Sequence, residues 1–213
     1  MARSKVHPIH RFAPWQVWPG SYDNPPTDGN FPCRSDPGLE INQNTAIASM
    51  GSCFAREIRT VLLNEGYAYI TEETHHPASV HASAAWERTY NTFSIRQIFE
   101  YTFEEWQPDL RWWQTPKTGK IQDPYRRIIL YDSIQEAEDD FERHKGYSRR
   151  ALKKAEVLIL TLGLTEVWED TVDGSVICLP SGPYPNEGGD MRRYRFKVSR
   201  YDENLANLER VHS

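Results

Sequence analysis

The segment Thr45-Ala46-Ile47-Ala48-Ser49-Met50-Gly51-Ser52-Cys53-Phe54-Ala55-Arg56 constrains the fold more than any other stretch of the chain. A small apolar run of strand length stops at Gly51, and helical periodicity begins almost at once. Ile58, Val61, Leu62 and Leu63 recur as apolar positions, with Arg56, Glu57, Arg59 and Glu65 as the charged side. Strand, tight turn and helix N-terminus therefore converge on Ser52 and Cys53. The first turn of a helix carries unpaired N–H groups and a partial positive charge, and both stabilise an anion. A nucleophile at this turn is one reading. A small buried thiol that packs the turn is another, since free cysteine is often buried for packing alone.

A second apolar run, Val157-Leu158-Ile159-Leu160-Thr161-Leu162, shows no alternation, as expected of a central strand covered on both faces. It leads into Gly163-Leu164-Thr165-Glu166-Val167-Trp168. Ligand sites in open α/β sheets gather outside the carboxyl ends of strands, which makes Cys53 and the Gly163–Thr165 turn natural neighbours.

Between these runs, Asn64-Glu65-Gly66 reads as a helix stop with glycine after the last turn. The loop from Thr71 to about Ala85 holds His75, His76 and His81. They form no His-x-x-x-His pair and have no neighbouring acidic ligand set, so no metal site and no cofactor are expected. Thr92 or Ser94 is expected to cap a helix with Ile95, Ile98, Phe99 and Thr102 on its inward face. Trp106 to Asp123 is a loop-like insertion, whose Trp112-Trp113 pair either offers a sugar-stacking platform or tucks into the core. Arg127 to Tyr131 reads as a short strand. Asp132-Ser133-Ile134-Gln135 resembles a capping box opening a helix to about His144, with a separate helical segment from Ser148 to Ala155. Asp173-Gly174 predicts a hairpin between Val167-Trp168 and Val176-Ile177-Cys178. After a Pro/Gly loop from Pro180 to Asp190, Tyr194 to Val198 is strand-like. A last helix starts near Tyr201, with Leu205, Leu208 and Val211 on one face. A helix in that position normally leads to another strand, so a C-terminally truncated chain is expected.

A length of 213 residues suits one sizeable α/β domain with an ordered extension. Residues 1–40 are broken by prolines but carry Trp15, Trp18, Tyr22 and Phe31, which suggests an extended arm on the surface of a domain spanning 41–213. A net charge of −5 argues against nucleic acid and anionic membranes as partners. Cys33, Cys53 and Cys178 are odd in number and form no CxxC pair, which points to a reducing compartment. No stretch approaches the length of a membrane span, so a cytoplasmic location is expected.

Three ordered blocks also carry a family resemblance. Gly51-Ser52-Cys53-Phe54-Ala55 resembles the signature after which the GSCFA family is named. Asn91-Thr92-Phe93-Ser94 and Thr161 to Trp168 look like its later hallmarks. The family is similar to SGNH (GDSL-type) hydrolases and PC-esterases. The resemblance implies an α/β fold, a three-layer α/β/α sandwich with a mostly parallel central sheet, incomplete here at its C-terminus. It places Cys53 where the nucleophilic serine would stand, with Ser52 as second candidate. It assigns oxyanion stabilisation to Asn91, Gly163 and Thr165, although Tyr90 stands where a glycine, and Thr165 where an asparagine, would be expected. Arg56, Glu166 and Trp168 are the implied substrate-binding residues. The general base of such enzymes comes from a late Asp-x-x-His block that has no counterpart here; His75, His76, His81 and His144 lie in no such motif. The implied activity is that of an esterase or O-acyltransferase on a small-molecule or glycan acyl ester. The alternative is a non-catalytic glycan or nucleotide-sugar binding module.

Overall fold

The computed structural model describes residues 39–76, 81–86, 89–109, 112–177 and 189–212. Contacts divide the chain into Met1–Ile41 and Asn42–Ser213, and every element below belongs to the second unit. The expected arm, apart from Leu39 and Glu40, lies outside the described residues, as do Cys33, Cys178 and most of the Pro180–Asp190 loop.

In chain order the elements are β1 (Ile47–Gly51), α1 (Cys53–Asn64), α2 (Thr92–Thr102), β2 (Trp113–Gln114), β3 (Ile121–Gln122), β4 (Leu130–Tyr131), α3 (Ile134–Lys154), β5 (Val157–Thr161), β6 (Glu166–Asp170), β7 (Val176–Ile177), β8 (Tyr194–Val198) and α4 (Tyr201–His212). The two apolar runs pair in parallel, from Ile47 opposite Val157 to Gly51 opposite Thr161, and Tyr69 bridges to Ile47. Two antiparallel sheets, β2-β3-β4 and β7-β6-β8, complete a mixed α/β fold. The Asp173-Gly174 turn joins β6 to β7, with Gly174 at φ 74°. No helix among the described residues is long and apolar enough to cross a membrane.

β5 is half-buried along its whole length instead of sealed on both faces, because β1 is its one strand partner among the described residues. The α1 stop is a Schellman motif: the Gly66 N–H donates to Leu63 O and the Tyr67 N–H to Leu62 O, with Gly66 at φ 75°. The apolar face of α1 is less covered than its periodicity predicts. Ala55 is its buried residue, while Phe54, Val61 and Leu63 stand exposed.

The main core packs Met50 of β1 against Trp86, Ile95, Ile98 and Tyr101, and against Phe141 and Ala151 of α3. Trp113 is buried edge-on to Tyr194, and Trp112 is half-buried edge-on to Tyr131 and Phe141, so the pair tucks inward. The two helical segments expected around Gly146 form one helix, α3, of 21 residues. Ser133 accepts the Glu136 N–H at its start, and Glu136 in turn reaches the Asp132 N–H. The buried residue of α4 is polar, not the leucine side expected. Asn207 donates to Thr92 Oγ1 and accepts from Arg96, while Thr92 donates to Asn204.

Candidate functional site

Gly51 ends β1 with φ at +142°, a conformation glycine tolerates, and a Cβ there would collide with Thr161 O and Oγ1. The turn that follows is pinned to β5. The Ser52 N–H donates to Thr161 Oγ1 at 2.8 Å, and the two hydroxyls lie 3.1 Å apart. Ser52 is the N-cap of α1: its Oγ accepts the Phe54 N–H and its carbonyl the Ala55 N–H. Of the two candidate nucleophiles, Ser52 is thus buried and engaged in holding the turn, whereas Cys53 is exposed on the first helical position. The Cys53 N–H has no acceptor among the described residues and remains one of the open donors of the helix start.

Cys53 opens into a cleft of about 220 Å³ lined by Gly51, Ser52, Arg56, His81, Tyr90 and Ile128. Arg56 is partly exposed and paired with Glu57 at 3.0 Å. His81 is the functional candidate that the sequence does not mark. It reaches the end of β1 because its segment docks on that strand: the Ser49 N–H donates to Ser83 Oγ, and the Ser83 N–H to Ser49 O. No motif signals this return. The one local hint is the run of small residues after His81, able to lie close against a strand.

The other expected site residues fall elsewhere. Asn91 is buried and caps α2: its Oδ1 accepts from Ser94 N and Oγ, and its Nδ2 donates to Glu166 O at 2.9 Å. The Gly163 N–H donates to Tyr90 O at 2.9 Å. Gly163, Thr165 and Glu166 line a second cleft of about 460 Å³ with Thr92, Leu162, Leu164, Asn204 and Leu208. The two clefts adjoin at Gly163, where an added Cβ would lie 3.9 Å from Ser52 Cβ and 4.0 Å from Tyr90 Cδ1. Trp168 lies on β6 and packs against Phe196 with the rings tilted by 51° and their centroids 5.1 Å apart. Of the expected residues, the structure brings Cys53, Ser52 and Arg56 into one cleft, and Gly163, Thr165 and Glu166 into the next.

A buried polar network occupies the interior. Glu73 Oε2 accepts from His144 Nδ1 at 2.7 Å and from the Ala85 N–H at 2.8 Å. Arg126 contacts Asp123, Glu73 and Asp140, and Asp140 also accepts from Tyr131 OH and His76 Nε2. Burial would raise the Glu73 carboxyl, but His144, Arg126 and the Ala85 N–H outweigh it and hold the group at about 2. Burial, reinforced by Arg126, lowers the His144 imidazole despite the opposing pull of Glu73. His144 Nε2 meets Tyr101 OH at 3.2 Å and Ser148 Oγ at 3.4 Å. This Glu–His–Ser line resembles a catalytic triad in order alone: every member is fully buried, and Ser148 already accepts from Trp86 Nε1.

The fold and the turn define a mixed α/β protein that presents an exposed cysteine at a strand-to-helix junction, against a parallel strand pair. The chain belongs to the GSCFA family, whose model matches residues 46–213. Neither a search of curated proteins nor a search of solved structures returns a match.

Proposed function

We propose that the chain carries the acylation site of an esterase or O-acyltransferase, with Cys53 as nucleophile and His81 as its general base. The observation that carries the reading is the shared cleft: an exposed thiol on the first position of α1 with a histidine in the same wall. In this mechanism Cys53 gives its proton to His81, and the sulfur attacks the acyl carbonyl carbon. The open Cys53 N–H and the α1 N-terminus stabilise the oxyanion. The bond to the alcohol breaks as His81 returns the proton, leaving a thioester. Water or an acceptor hydroxyl, deprotonated by His81, then attacks the thioester and restores the thiol. Arg56, one helical turn along, suits an anionic group on the substrate, and glycan O-acyl esters are one class that the adjoining clefts accommodate. The parallel β1–β5 pair with α1 against it is compatible with an SGNH-like three-layer sandwich, and we read the domain as a relative of those hydrolases and of PC-esterases.

A second reading, glycan or nucleotide-sugar binding without turnover, is favoured by one observation. Asn91 and Gly163 commit their hydrogen-bonding groups inside the protein, and so leave the cleft short of oxyanion donors.

The test is reaction with an activated acyl ester followed by peptide mapping in a mass spectrometer. An acyl adduct is expected on Cys53 and should vanish in Cys53→Ala. His81→Ala should slow its formation by about 10²–10³-fold, as for loss of a general base. Acylation that continues unchanged in Cys53→Ala would overturn the assignment, and an intact chain that binds a glycan without acylation would support the second reading.

A further inference from the structure

Glu73, His75 and His76 each present one ligand atom within 4.8 Å of the others. Neighbouring side chains on an extended strand point to opposite faces. Here the chain bends at His75 and His76, bringing their rings to 4.2 Å between centroids. Two imidazoles and one carboxylate, with water in the remaining position, are a donor set suited to a borderline-soft dication.

The surroundings hold these donors in place. Glu73 is wholly buried, its Oε2 fixed by His144 Nδ1 and the Ala85 N–H, with Oε1 3.5 Å from Arg126. His76 Nε2 lies 2.9 and 2.8 Å from the two Asp140 oxygens. A carboxylate accepts only, so Nε2–H donates and the imidazole lone pair sits on Nδ1. A carboxylate behind a histidine, orienting its ring, is the usual support for a metal-bound imidazole. Asp140 is itself fixed by Tyr131 OH at 2.7 Å and Arg126 Nη2 at 3.1 Å, with the exposed Arg143 at 3.2 Å and His75 Nε2 at 3.5 Å. Three buried carboxylates, Glu73, Asp123 and Asp140, face one buried guanidinium, Arg126. Asp140 also meets the exposed Arg143, and His75, its side chain 42% exposed, opens this cluster to solvent.

From this convergence we propose that Glu73, His75 and His76 form a binding site for a divalent transition-metal ion of the zinc class. Metal bonds of about 2 Å require donors within roughly 3.5 Å of one another, so binding would draw the three donors together, with the exposed His75 ring the one able to turn. The ion would tie the 71–76 segment to α3 through Asp140. The proposal is independent of the chemistry assigned to Cys53.

The test is calorimetric titration of the full chain with ZnCl₂ after chelator treatment, with Co²⁺ absorption spectra to report coordination. Micromolar or tighter binding to one site per chain is expected, with His75→Ala/His76→Ala weakening it at least about tenfold. His212→Ala, on the exposed end of α4, should bind as the parent does. A circular-dichroism melt establishes that the double variant is folded. If it is not, His75→Ala alone, which removes an exposed ring, carries the same tenfold expectation. Absence of micromolar binding, or equal affinity in the folded histidine variants, would overturn the site.

Discussion

A methyl group added at Gly51 would meet the carbonyl and hydroxyl oxygens of Thr161 inside contact distance, on a backbone held at φ +142°. Added at Gly163, it would find Ser52 Cβ at 3.9 Å and Tyr90 Cδ1 at 4.0 Å, which is ordinary packing. Gly51→Ala is therefore expected to cost about 3 kcal/mol or more, from backbone strain and overpacking together. Gly163→Ala should stay within about 0.5 kcal/mol. Urea denaturation of the two variants measures the contrast, and equal losses would contradict this account of the turn. The same residues show how far the site is legible in sequence. Gly51, Ser52 and Cys53 are set by local turn chemistry, so their strand–cap–helix arrangement can be read directly. Asn91 and His81 cannot be placed that way. Whether an asparagine caps a helix or faces a ligand depends on where Glu166 arrives, 75 positions away, to accept its Nδ2–H. His81 enters the cleft because Ser83 returns to Ser49, a return marked locally by nothing more than the small residues after His81.

α3 shows the same division among whole elements. Its buried stripe runs Ala137, Phe141, His144, Ser148, Ala151, a continuous helical spacing whose middle is polar. Those polar members serve the interior network, so the apolar periodicity fades just where Gly146 suggests a break, and one helix reads as two. α4 misleads in the same way, because its inward face uses Asn204 and Asn207 to meet Thr92 and Arg96. Where the inward face is mainly apolar, as for β1, element and position are both readable. β5 is readable as a strand, but its covering is not, since that depends on what pairs beside it. Gly146 gives this a measurable consequence. Its added Cβ would meet only Arg150 Nη1, at 3.7 Å, in an ordinary helical conformation. Gly146→Ala is expected to stabilise the chain by about 0.5–1 kcal/mol, by restricting the unfolded state and improving helix propensity. Its thermal midpoint should rise; a fall would mean that the helix interior is more tightly packed than the structure has it.

Across the whole molecule, the polar network joins parts that the three small sheets leave separate. Glu73 comes from the segment after Tyr69, Asp123 and Arg126 from the connection between β3 and β4, Tyr131 from β4, and Asp140 and His144 from α3. Such a network makes stability depend on pH, with a sign fixed by its groups. His144 faces Glu73, Tyr101, Ser148 and the nearby Arg126 and Asp123, and burial lowers its pKa from the ordinary 6.5. Below that value the unfolded chain binds a proton that the folded chain refuses, so stability falls as pH drops through 6.5. Glu73 adds a second stage. Its folded pKa of about 2 against an ordinary 4.5 gives stability that is full above 4.5 and lost as pH falls towards 2. Asp140, pulled down against its burial by His76, Arg126 and Tyr131, acts in the same direction. For the metal-free chain, unfolding free energy should be flat above pH 7, begin to decline near 6.5 and steepen below 4.5. In NMR the His144 ring signals should report a pKa below the ordinary 6.5. Urea unfolding at stepped pH, followed beside those ring signals, tests both stages. A His144 that protonates near 6.5 in the folded chain, with stability unchanged down to pH 4, would remove the network from the account of what holds these elements together.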